Sequence, residues 1–183
     1  VPSLEHNGKI IGESLDLIKY VDCNFEGPSL VPNDPDKKRT LEELLSYTDK
    51  FVEMLFASFK GDPEKEAGAA FNYLEDALKK YDDGPFLLGR DFSLFRGAKV
   101  PAYLLHSPLY DMDELKFFEA DIAYIPFVER FQIFLSEVFK YDIIAGRPKL
   151  AAWIEELNKI DAYKQTKIVD PKQLVEYYKQ RFM

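Results

Sequence analysis

DIAYIPFVERFQIFLSEVFK, residues 121–140, is the stretch whose reading decides the fold. Ile122, Ala123, Ile125, Phe127, Val128, Phe131, Ile133, Phe134, Leu135 and Val138 fall on almost every face of a helix, not on one stripe. A helix of that kind must be surrounded by other elements, so it predicts the central rod of an all-helical domain. Pro126 removes one backbone hydrogen bond and predicts a bend that neighbouring elements hold in place. As chemistry the stretch is silent, because a buried core helix accounts for all of it.

Working outward, 183 residues suffice for one good core with an appendage. A composition of 46% hydrophobic and 31% charged residues is that of a packed domain and not of a disordered chain. The net charge of -8, with no Lys/Arg run longer than Lys37–Arg39, argues against nucleic acid and anionic membrane as partners. No apolar run approaches the roughly 18 residues of a membrane span, and no signal or transit peptide is recognisable. A single cysteine excludes an internal disulfide framework and fits a reducing, cytoplasmic setting, with a plastid the alternative if a transit peptide precedes these residues. The start at Val1-Pro2 instead of a methionine leads us to expect further residues upstream.

From the N-terminus, Ser3–Glu5 and Lys9–Ile11 read as strands joined by His6-Asn7-Gly8, since Asn-Gly tolerates the positive φ of a tight hairpin turn. Gly12-Glu13-Ser14 opens a helix to about Cys23, with Ser14 as its expected N-cap. Such a helix start, with its free N–H groups and a serine hydroxyl, suits a carboxylate. Gly27-Pro28 and Pro32–Pro35 form a linker. Asp34-Pro35, Asp62-Pro63 and Asp170-Pro171 each place a capping carboxylate before a proline at the first helical position. They predict helices through about Phe59, Tyr81 and Phe182. Gly146-Arg147-Pro148 starts another, carrying Leu150, Trp153, Ile154, Leu157 and Ile160.

This order of signals, with the phrases YVDCNFEGPSLVPNDP, GPFLLG and DIAYIPFVERFQIF, resembles the cytosolic glutathione transferases, most closely the plant lambda class. The resemblance implies a mainly α fold in which residues 1–26 are a β-β-α remnant of a thioredoxin-like domain. Residues 27–35 would be the linker and 36–183 the helical C-terminal domain, with an apparent insertion at about 95–120. It implies glutathione as substrate, Val1 pairing through its backbone with the cysteinyl part beside a cis Pro2, and Glu13 and Ser14 holding the γ-glutamyl group. A small apolar or thiol-adduct ligand would be the second partner.

Two departures matter. The Cys-Pro-Phe stretch that carries the lambda-class nucleophile is not in this sequence, and Cys23 lies near the C-terminal end of its helix, where the dipole opposes a thiolate. The family also pairs a serine with an aspartate three residues later at the start of the central helix. The matching residues here, Ser93 and Asp121, are 28 apart, which implies a 25-residue insertion such as a retained intron or splice variant. Either Asp113 caps a longer helix or a long loop returns Ser93 to Asp121.

The parent enzyme would then be a glutathione-dependent thiol transferase of deglutathionylation type, this chain having little or no activity. The alternative is a non-catalytic binding or scaffold protein for apolar ligands. His6 and His106 have no ligand spacing, so no metal is expected. Tyr47, Phe51, Tyr124 and Trp153 fit either a substrate pocket or the core.

Overall fold

The computed structural model describes residues 3–27, 29–89, 119–167 and 170–183. Strands β1 (Leu4–His6) and β2 (Lys9–Ile11) are followed by helices α1 (Ser14–Asn24), α2 (Pro35–Ala57), α3 (Pro63–Lys79) and α4 (Glu119–Phe139). Helices α5 (Pro148–Leu157), α6 (Asp161–Thr166) and α7 (Pro171–Phe182) complete the order. Ser93, His106 and Asp113 lie outside the described residues, so neither capping arrangement expected for the central helix is placed; the described part of α4 includes two residues before Asp121.

The hairpin forms as its turn chemistry requires. Leu4 pairs with Ile11 and His6 with Lys9, leaving Asn7 (φ 51°) and Gly8 (φ 73°) as a two-residue turn in the left-handed region. The first strand is therefore shifted one residue later than Ser3–Glu5.

All three Asp-Pro starts hold. Asp34 Oδ1 accepts the N–H groups of Asp36 (2.8 Å) and Lys37 (3.0 Å). Asp62 Oδ1 accepts those of Glu64 and Lys65, and Asp170 Oδ1 those of Lys172 and Gln173. Each cap satisfies donors that a helix leaves open at its start, worth about 1 kcal/mol apiece.

The core gathers on α4 as its all-round hydrophobicity demands. Ala123, Tyr124, Val128, Phe131, Phe134 and Leu135 are buried, and the helix lies against α1, α2 and α7, while α3 bridges α2 and α5. Leu41, Leu44, Phe51 and Leu55 of α2 and Ala67, Phe71, Leu74 and Leu78 of α3 supply the facing stripes. Pro126 sits inside α4 without ending it. The helix read through Ile160 is split: Asn158–Ile160 form a turn and α6 begins at Asp161.

Two polar side chains of α4 fasten this core to its neighbours. Asp121, 0% exposed, accepts the Leu87 N–H (3.0 Å) and the Trp153 Nε1–H (2.8 Å) on Oδ1. One carboxylate thereby ties the buried Phe86–Leu88 segment and α5 to the start of α4. Tyr124 Oη donates to the Leu44 carbonyl of α2 at 2.7 Å.

Burial pushes the Tyr124 phenol well above its ordinary value of 10.0, and burial, then the nearby Glu129, pushes Tyr163 up to about 12. Both phenols keep their protons more tightly in the fold than when unfolded. The unfolded chain therefore loses protons first, and stability falls once pH rises above 10.0. We expect alkaline unfolding to steepen there by at most about 1.4 kcal/mol per pH unit for Tyr124, and by less for the half-exposed Tyr163. Urea titrations at several pH values check this, with Tyr163→Phe expected to flatten the slope.

Candidate functional site in the cleft between α1 and α2

The backbone enters α1 through Glu13 at φ 62°, a left-handed value that costs a non-glycine residue about 1 kcal/mol or more. Glu13 therefore occupies the capping position and Ser14 is the first helical residue, correcting the expectation that Ser14 caps the helix. No side chain caps α1. Its first N–H groups are left to a ligand or water, with the positive end of the helix dipole behind them.

Across from this helix start run the outer face of α2 and part of α4, and the space between is a cleft of about 600 Å³. Glu13, Ser14 and Asp16 form one lip and Asp49 and Glu53 of α2 the other. Buried Thr48 and Ala123 and half-buried Val52 and Phe127 make the floor. The uncapped helix start and the Ser14 hydroxyl suit a carboxylate. The four acidic side chains suit an ammonium group. Together they fit a zwitterion of the amino-acid kind.

A second, apolar groove of about 490 Å³ adjoins the first and shares Val52 and Glu53 with it. Phe56 and Phe59 of α2 and Phe182 of α7 line it, with Lys60 and Arg181 among its polar lining. The aromatics read from the sequence sit elsewhere. Phe51, Tyr124 and Trp153 are buried in the core, and Tyr47 stacks on Tyr73 at 3.7 Å between ring centroids.

Of the anticipated site residues, the fold brings Glu13 and Ser14 together at the cleft, while Val1 and Pro2 lie outside the described residues. Asp49, Glu53, Phe56 and Phe182 were missed. Asp49 and Glu53 lie one helical turn apart on the side of α2 away from its core stripe, which reads as an ordinary solvated face. Cys23 is exposed in the last turn of α1. Among the described residues no group of three or more His, Cys, Asp or Glu is placed to hold a metal ion, and no helix is long and apolar enough to cross a membrane.

The model of the family "Glutathione S-transferase, N-terminal domain" matches residues 1–29. Glutathione S-transferase L1 of Arabidopsis thaliana is 57% identical over 100% of this chain and 66% of its own length. Glutathione S-transferase L3 of the same plant is 55% identical, again over 100% of this chain and 66% of its own length. The chain belongs to the glutathione S-transferases, lambda class. It spans 66% of those two relatives, just under two thirds.

The fold of this glutathione S-transferase chain is also that of solved transferases. The Leishmania glutathione transferase TDR1 superposes with a TM-score of 0.69 at 24% identity over 95% of this chain and 36% of that one. A Bombyx mori glutathione transferase superposes with a TM-score of 0.65 at 17% identity over 97% and 73%.

Proposed function

We propose that the 183-residue polypeptide binds glutathione by its γ-glutamyl end in the cleft between α1 and α2. The observation that carries this reading is that Ser14, at the uncapped start of α1, faces Asp49 and Glu53 across about 600 Å³. The γ-glutamyl carboxylate meets Ser14 and the first N–H groups of α1. Its ammonium group meets Glu13 and the two α2 carboxylates, and the cysteinyl part extends toward the Val1-Pro2 backbone. In this reading residues 1–26 belong to a thioredoxin-like domain, 27–35 are the linker, and 36–183 are the helical domain with its insertion near 95–120.

The adjoining groove of Phe56, Phe59 and Phe182 takes a small apolar ligand or the apolar part of a thiol adduct, since it shares Val52 and Glu53 with the glutathione cleft. Within a complete lambda enzyme of the cytosol this pair of sites serves thiol transfer: a cysteine thiolate attacks the mixed disulfide and glutathione resolves the intermediate. In the 183-residue polypeptide the lone thiol, Cys23, is exposed in the last turn of α1, whereas the cleft opens at the first. It binds without turning over. The apolar groove also supports a second reading, a non-catalytic carrier of apolar ligands.

Calorimetric titration with glutathione tests the first reading. Ser14→Ala and Glu13→Ala are each expected to weaken binding about tenfold, the loss of one charge-assisted contact. N-acetylation of the γ-glutamyl nitrogen should weaken it comparably. Undiminished binding by Ser14→Ala would overturn the proposal, as would a glutathione-linked thiol-transfer rate well above the uncatalysed one. Retention of an apolar dye without glutathione supports the carrier reading.

A further inference from the structure

Arg147 is 8% exposed, and none of its hydrogen-bond partners is a carboxylate. Its Nε–H donates to Asn72 Oδ1 (2.7 Å), Nη1 to the Ile143 carbonyl (2.8 Å), and Nη2 to the Gly68 carbonyl (3.3 Å) and Tyr141 Oη (3.0 Å). A guanidinium offers five N–H donors, so one on Nη1 is left. Four neutral acceptors satisfy the geometry of the group without neutralising it, and a buried charge is held best when a carboxylate also bonds it directly. Mid-helix Gly68 leaves room for the arrangement. A Cβ there would stand 3.2 Å from Tyr141 Oη and 3.6 Å from Arg147 Nη2.

Arg147 borders an open pocket of about 400 Å³, formed by the N-terminal half of α3 and the segment joining α4 to α5. The pocket shares no lining residue with the cleft between α1 and α2. Lys65 adds a second cation to its lining and Glu64 and Asp142 two anions. Asp142 is already engaged, its Oδ1 accepting the Ile144 N–H at 3.0 Å. A single negative charge would offset the buried guanidinium. A double one would be opposed by the two acidic side chains.

We propose that this pocket is a binding site for a small monocarboxylate, whose oxygens pair with Arg147 and Lys65. Occupation places a carboxylate directly against the guanidinium, whose partners within the fold are all neutral. The site discriminates against phosphate, which is mostly dianionic above neutral pH.

Titration of the 183-residue protein with sodium acetate tests this, followed by the 15N-edited signals of the Arg147 Nε–H and the Gly68 and Ala145 amides, against sodium chloride at matched ionic strength. The expected result is a saturating shift with a midpoint on the order of 10 mM. Ala69→Glu puts a tethered carboxylate into the same pocket from an exposed position of α3 and leaves every Arg147 hydrogen bond in place. It should raise the acetate midpoint about tenfold or more. Arg147→Gln should abolish the shifts at Gly68 and Ala145. Shifts linear in acetate and equal to those in chloride would overturn the proposal. An unchanged midpoint in Ala69→Glu would do the same, and so would inorganic phosphate at pH 8 binding as well as acetate.

Discussion

Asp121→Ala is expected to cost about 3–5 kcal/mol, because it strips the acceptor from buried donors and leaves them unpaired in the core. The Leu87 N–H and Trp153 Nε1–H both end on Oδ1 of this residue, and neither has water to turn to. Their anchoring segments then lose their common fastening to α4. Against a total stability of some 5–15 kcal/mol the loss is large, and it lowers the melting temperature by roughly 10 °C or more. Asp121→Asn keeps one acceptor oxygen and should lose about half as much. Urea unfolding followed by the single tryptophan, Trp153, reports both variants at the bond in question. A loss below about 1 kcal/mol in Asp121→Ala would refute this account of the site.

Phe131→Ala should be comparably damaging by a different route. The ring is 0% exposed and its centroid lies 5.3 Å from those of Phe56 and Phe59 and 5.9 Å from that of Tyr178. It therefore joins α4 to α2 and α7 at once. Removing it costs about 3–5 kcal/mol, part in lost transfer energy and part in the cavity left behind. α7 should loosen first, since only Leu174 and Tyr178 of that helix are buried. Amide exchange measured helix by helix checks the order: protection falls most in α7 and least in α3. Uniform loss across both helices would contradict it.

The sequence made legible what local chemistry encodes. An Asp-Pro pair carries its own cap and its own φ, so all three helix starts could be read without tertiary information. The same holds for the Asn-Gly turn, and for α4, whose apolar residues on every face allow no other placement. What could not be read depends on contacts between distant elements. Glu13 takes a left-handed φ that its residue type does not favour, so the cap was assigned to the better-suited Ser14. The break before α6 was hidden because Leu157 and Ile160 keep helical spacing across it. Asp49 and Glu53 acquire meaning only when α1 is laid opposite them, and Arg147 looked like one letter of a loop signal. Its one trace was Gly68, a glycine amid good helix formers, which marks a close approach.

The resemblance to glutathione transferases likewise rested on short phrases, at residues 20–35, 84–89 and 121–134, and the relatives bear it out.

The two sides of the cleft between α1 and α2 are held with unequal firmness. α2 is anchored by six buried residues, whereas α1 contributes none; it rests on α4 and is tied to the hairpin through a 2.9 Å hydrogen bond between His6 Nδ1 and Tyr20 Oη. A ligand bridging the two lips has to quiet the looser one, so part of its intrinsic attraction is spent on ordering α1. Under the proposed function, affinity for glutathione can then be tuned from the far end of that helix, by residues that never touch the ligand.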